Sequence, residues 1–250
     1  MKKEKLLSIC ILPLLWIIYF LFELITGRVT DLTTVIGNIA LIIVFAILGY
    51  IIYKIKTKFP EGLNGKSIFK YVFLFFFIEQ GIKIIIKFFF FNKHITIIKD
   101  FLYFSPLINT DGSWLNARFN ANISFTLLIL FNIISLILFF EIYRYILYKK
   151  PKSFWIDMCF VFIFCGALCS LIDKIFYGGS LDFIGISNLF VADIKDIYID
   201  LGLLFFILSI FTTGYFNTSE NTSLKEDLDS IKKFLSFMKN DILSLIRNKK

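Results

Sequence analysis

Six apolar runs, separated by shorter polar stretches, fill residues 1–216. They cover roughly 6–25, 33–53, 68–91, 122–148, 154–177 and 197–216. Each can cross about 30 Å of hydrocarbon at about 1.5 Å per helical residue. Lipid offers backbone amides no partner, so each run predicts a helix. The expected fold is an all-α membrane protein with about six transmembrane helices. Two connections, 92–121 and 178–196, exceed tight turns, and the first predicts a small extracytoplasmic loop or β-like cap. Beyond residue 217 the pattern changes. Leu224, Leu228, Ile231, Leu235, Met238, Ile242, Leu245 and Ile246 recur at helical spacing among lysines, which predicts an amphipathic helix on the inner leaflet or against a partner. The expected organisation is two added N-terminal helices (1–60), a four-helix membrane domain (61–216) and a cytoplasmic tail (217–250).

Composition supports a bilayer rather than an aqueous solvent. The 250 residues are 58% hydrophobic and only 18% charged, where soluble domains carry about a quarter. The net charge of +8 on a soluble chain would point to nucleic acid. Here the charges gather at the ends of the apolar runs. With the N-terminus in the cytoplasm, 19 of the 27 Lys and Arg fall inside and 8 outside. That imbalance predicts both termini inside and anionic lipid headgroups, not nucleic acid, as the basic residues' partners. Lys2 and Lys3 before an apolar run resemble a signal peptide, but the run continues to Ile25 with no small-residue cleavage site; a retained helix is expected. Cys10, Cys159, Cys165 and Cys169 lie in apolar runs and His94 is the lone histidine, so the cysteines read as packing residues and no metal or cofactor is expected.

Ionisable residues in membrane spans are costly and so draw attention. Glu141 and Asp157 fall near the inner interface and read as anchors. Asp173 stands apart, near the outer end of the fifth run. Gly166, Ala167 and Ser170 precede it and permit close helix approach. Asp193 comes just before the sixth run, which returns inward. The two carboxylates are thus predicted to meet at one depth. Such a pair shares a proton and supplies a general base and a general acid together, enough to activate water against a peptide carbonyl. On the residues alone, the same aspartates are also suited to cap helices or to pair with Lys174 and Lys195.

The residues around them resemble the lipoprotein signal peptidases, the signal peptidase II family. That family carries Gly-Gly-Ala-x-Gly-Asn-x-x-Asp-Arg, then Val-Asp-Phe, then Phe-Asn-x-Ala-Asp before a last helix with a glycine. Here the order is Cys165-Gly166-Ala167-Leu168-Cys169-Ser170-Leu171-Ile172-Asp173-Lys174, then Leu181-Asp182-Phe183, then Leu189-Phe190-Val191-Ala192-Asp193, with Gly202 following. Upstream, Glu79-Gln80-x-x-Lys83 is similar to the family's Asp-Gln-x-x-Lys, and Asn109 with Gly112 to its Asn-x-Gly. The resemblance spans about 68–216. Cys169, Ser170, Lys174 and Phe190 depart from the pattern, with Asn188 two residues before the position of the missing amide.

The resemblance implies a metal-free membrane aspartyl endopeptidase, sited in the plasma membrane. It would cut a prolipoprotein before its lipid-modified cysteine, at the outer leaflet. Asp173 and Asp193 would be catalytic. Asn109, Lys174, Ser170 and Asn188 would meet the substrate, and Glu79, Lys83 and Asp182 would support the site. A non-catalytic membrane scaffold, working through the added helices and tail, is the alternative. A small-solute transporter ranks below both, because it wants charges at the midplane and broken helices.

Overall fold

A computed structural model describes residues 2–112, 114–119, 121–213 and 224–247. Six long helices occupy the predicted runs: α1 (Lys2–Ile25), α2 (Leu32–Lys56), α3 (Gly65–Ile85), α5 (Phe125–Lys149), α6 (Phe154–Phe176) and α7 (Ile194–Thr212). A single π-helical turn, Ile86–Phe90, prolongs α3. A short α4 (Trp114–Phe119) and the tail helix α8 (Leu224–Arg247) are the other helices among the described residues. α1, α2, α5 and α6 are long and apolar enough to cross a membrane by length and composition. The charges of α3 and α7, Lys66, Lys70, Glu79 and Lys83 in one and Lys195, Asp196 and Asp200 in the other, set those two helices apart.

Local chemistry explains several boundaries. Asp31, Asn64 and Ser124 cap α2, α3 and α5 by accepting the amide three residues on, filling donors a helix start leaves open. α6 and α7 pack most intimately, because the small residues of α6 allow it. A Cβ on Gly166 would come within 2.8 Å of Ile199 on α7.

The cap is a sheet, built from both long connections rather than from 92–121 alone. β1 (Ile95–Ile98), β2 (Leu102–Asn109), β3 (Ser180–Ile186) and β4 (Phe190–Ala192) pair antiparallel in that order. The joint β2–β3 sets Asn109 opposite Ser180 and Leu107 opposite Asp182. A Cβ on Gly179 would sit 2.6 Å from the Asn109 carbonyl oxygen, so the chain can enter β3 this close to β2 only with glycine there. The architecture is thus an all-α membrane protein with a small β cap at one end of the bundle.

At the opposite end, buried polar groups fasten the helices together. Asp157, on α6, accepts from the Leu63 amide at 2.6 Å and the Tyr143 hydroxyl at 2.7 Å. Glu4 accepts from the Trp155 indole at 2.7 Å and pairs with Lys56 at 2.9 Å. The expected anchoring role of Asp157 becomes a specific tie between α6, α5 and the start of α3. α8 lies against α5 through an Arg144–Asp241 ion pair of 2.8 Å and the rings of Tyr145 and Phe237. The expected tail boundary at 217 falls outside the described residues.

Candidate active site at the cap end of the bundle

Asp173 and Asp193 come together. Asp173 lies in the last turn of α6, and Asp193 is the N-cap of α7, accepting from the Asp196 amide while its own amide donates to the Asp196 carboxylate. The reading of these aspartates as helix caps therefore holds for Asp193, through its Oδ1. Its Oδ2 serves a different purpose: it faces Asp173 and two ammonium groups. Both carboxylates are fully buried.

Lys83 reaches them from α3. Its ammonium pairs with Asp173, with Asp193 at 2.5 Å and with Glu79, one turn back, at 2.6 Å. Gln80 donates to Glu79 at 2.9 Å and to Asp173 at 3.1 Å. Glu79, Asp173 and Asp193 offer oxygens within 4.8 Å of one another, a spacing a divalent cation also favours. The Lys83 ammonium already stands among them, so the charge such an ion would balance is balanced by a lysine.

A second lysine approaches from the cap side. Lys195 contacts Asp193 and Ser180 and lies 3.4 Å from Asp173, 3.8 Å from Asp182 and 4.0 Å from Asp196. Ser180 donates to Asp182 and stands 3.1 Å from Asp193 and 3.4 Å from Asp173. Asp182 in turn accepts from the Asn109 side chain at 2.9 Å. Burial pushes the Asp182 carboxyl above the usual carboxylate range, with Lys195 pulling it back. The two ammonium groups are shared among five acids: Lys83 serves Glu79, Asp173 and Asp193, and Lys195 serves Asp173, Asp182, Asp193 and Asp196.

Of the other expected residues, Lys174 donates to Ser170 at 2.6 Å, and Ser170 also takes a bond from Asn132 at 3.2 Å. Both border a cavity of about 700 Å³ that also reaches Asn109, Asp182, Lys195 and Asp196. Asn188 is not brought to it. It sits exposed in the β3–β4 turn, where its carbonyl accepts from Arg28 at 2.8 Å. Sequence reading gave Lys195 only a pairing role, gave Ser180 none, and placed the N-terminal helices that wall the cavity only in the scaffold alternative. Lys195 left a trace in the sequence, a charge two residues past Asp193 at the mouth of an apolar run. Ser180 left none.

Comparison with known proteins agrees with the geometry. The family model described as signal peptidase (SPase) II matches residues 71–212. Two solved bacterial membrane enzymes, determined by the in meso method, share the fold. One is 18% identical, with TM-score 0.50, covering 66% of this chain and 98% of its own. The other is 20% identical, also with TM-score 0.50, covering 60% and 96%. No curated protein matches.

Proposed function

The chain belongs to the signal peptidase (SPase) II family, and on that premise we propose that it is an aspartyl endopeptidase releasing signal peptides from prolipoproteins, just ahead of a lipid-modified cysteine. One observation carries this reading: two buried aspartates, from helices adjacent in sequence, converge on Lys83 and Lys195, and Lys195 borders a large cavity. A multi-pass membrane protein with such a site suits a substrate that is itself embedded in lipid.

The proposed reaction needs only water and the amide. One aspartate takes a proton from water as the water oxygen bonds to the scissile carbonyl carbon, while the other, holding the pair's proton, donates toward the carbonyl oxygen. The carbonyl oxygen gains negative charge, which the Lys195 ammonium stabilises from beside the pair. The C–N bond then breaks, and the proton passes to the departing amine. Lys83 holds both carboxylates in place from below. It donates to three acids at once and has no freedom to leave. Lys195 has alternative partners in Asp182, Asp196 and Ser180, so it can yield space when substrate arrives. Asn109, Lys174 and Ser170 border the cavity and would contact the substrate backbone or its lipid.

The excess of basic residues toward the end opposite the sheet supports placing both termini in the cytoplasm and the site at the outer leaflet. Residues 61–216 would be the catalytic domain, with 1–60 and 217–250 as additions. Leu228, Ile231 and Leu235 of α8 stay exposed, which suits contact with the inner leaflet.

The test is product mapping. Purified protein in detergent is given a lipid-modified prolipoprotein, and the products are read by mass spectrometry. The reading requires one cut, immediately before the modified cysteine. Cuts scattered elsewhere, or none, would contradict it.

A further inference from the structure

The cavity has a wall that the family match does not reach. α1 and α2 precede residue 71, where the match begins, yet Leu12, Trp16 and Tyr19 of α1 and Phe45 of α2 border the same space as Lys195 and Asp196. The hairpin is fastened to the bundle at both ends. Ser8 donates to the Gly49 carbonyl at 2.9 Å within it, and Glu4 bonds Trp155 of α6. At the cap, the Arg28 guanidinium spans the carbonyls of Asn188 and Leu189, at 2.8 and 2.6 Å. The Phe190 ring meets Trp16 and Tyr19 edge-on, at 6.2 and 5.6 Å between centroids. α1 is therefore a fixed face of the cavity, packed beside α7.

Two polar groups on these faces have no partner among the described residues. The Trp16 indole N–H is shielded from solvent and finds no acceptor, although buried indoles generally do. Asp200, on α7, is exposed, borders the cavity and makes no hydrogen bond or ion pair among the described residues. It lies one turn beyond Asp196 on the same face and about 10 Å along the helix from Asp193, at about 1.5 Å per residue. An unpaired carboxylate in a membrane helix marks a place where something binds. Between the Tyr19 hydroxyl, Arg28, Lys195 and Asp196, this wall is apolar: Leu12, Leu15, Phe45, Ile199 and Leu203.

A peptide cleaved inside the membrane presents a matching need. Its scissile carbonyl is reachable only if the helix around it unwinds. Unwinding leaves backbone C=O and N–H groups without partners, in a medium that supplies none. We propose that the N-terminal hairpin is a substrate-binding element: Trp16 and Asp200 hold the unwound, membrane-embedded peptide segment beside the scissile bond, Trp16 donating to a backbone carbonyl and Asp200 accepting from a backbone amide. This rests on the peptidase reading and adds the hairpin to its substrate site. Trp16 and Asp200 are binding residues and do not touch the reacting atoms.

The experiment measures cleavage kinetics of a lipid-modified prolipoprotein by the full chain in detergent, for the intact protein, Trp16→Phe, Asp200→Leu and Asp200→Asn. Trp16→Phe keeps the ring against Phe190 and removes only the donor. The expected result for Trp16→Phe and Asp200→Leu is a KM raised about tenfold, the scale of one lost hydrogen bond, with kcat within about twofold. Asp200→Asn keeps an acceptor oxygen and restores KM. The same substrate, titrated against Asp173→Asn with and without Trp16→Phe, should bind about tenfold more weakly in the double variant. If the intact protein cuts but KM and binding do not move, the hairpin proposal falls and the peptidase reading stands. A fall in kcat alone at unchanged KM overturns the proposal too, since it marks Trp16 as structural. If the intact protein does not cut, the peptidase reading falls first and this proposal with it.

Discussion

The Lys195 ammonium lies 3.4 Å from the Asp173 carboxylate, with side chains 7% and 0% exposed, and it contacts Asp193 as well. A cation thus sits on the aspartate pair from the cap side, while Lys83 sits on it from α3. Removing Lys195 should cost chemistry more than folding, because it borders the cavity, where water can solvate the acids it leaves, and Lys83 still ties α3 to both aspartates. Lys195→Gln is expected to lower kcat about 100-fold, the usual scale for losing one preorganised donor, with thermal stability in detergent close to the intact protein. Equal loss of stability and activity would make Lys195 a structural ion pair.

Lys83 carries the opposite expectation. Its loss leaves Glu79, Asp173 and Asp193 buried without a counter-ion from α3. Breaking a buried ionic group from one side costs about 3–5 kcal/mol, so Lys83→Met should lower the unfolding temperature sharply and abolish cleavage. A variant as stable as the intact protein would mean the three carboxyls are largely protonated.

Asp182 supplies the pH signature. Burial raises its carboxyl, so ionising it costs stability. That cost is present above the folded-state value and fades as pH falls toward the unfolded-state value. Asp182→Asn lacks this penalty. Its thermal stability relative to the intact protein should therefore be higher at pH 7 than at pH 4. A difference independent of pH would contradict the raised carboxyl.

Much of this was legible in the residues. The six apolar runs end within a few residues of the helices, because each run is bounded by charges or capping residues. The meeting of Asp173 and Asp193 followed from two helices running in opposite directions across a short connection. The sheet was half legible: β3 and β4 sit in a loop with no strong alternation, and they form because β2 offers an edge to β3 and β3 in turn to β4. Ser180 and Trp16 were hidden for a different reason. Their neighbours arrive from 15 to more than 170 residues away, and local pattern carries no record of such packing. Phe190 joins the two kinds. It departs from the family's asparagine, and it packs on Trp16 and Tyr19 of the added helix.

The central claim is that Asp173 and Asp193 perform the cleavage. Its most direct test is turnover of a lipid-modified prolipoprotein by Asp173→Asn and Asp193→Asn, beside the intact protein and with folding checked by thermal unfolding. Both substitutions keep the shape of the side chain and remove its ability to take a proton. Folded variants that each lose at least about 1,000-fold in kcat, as expected when a general acid–base group is removed, would agree with the account. Folded variants that cut as well as the intact protein would contradict it.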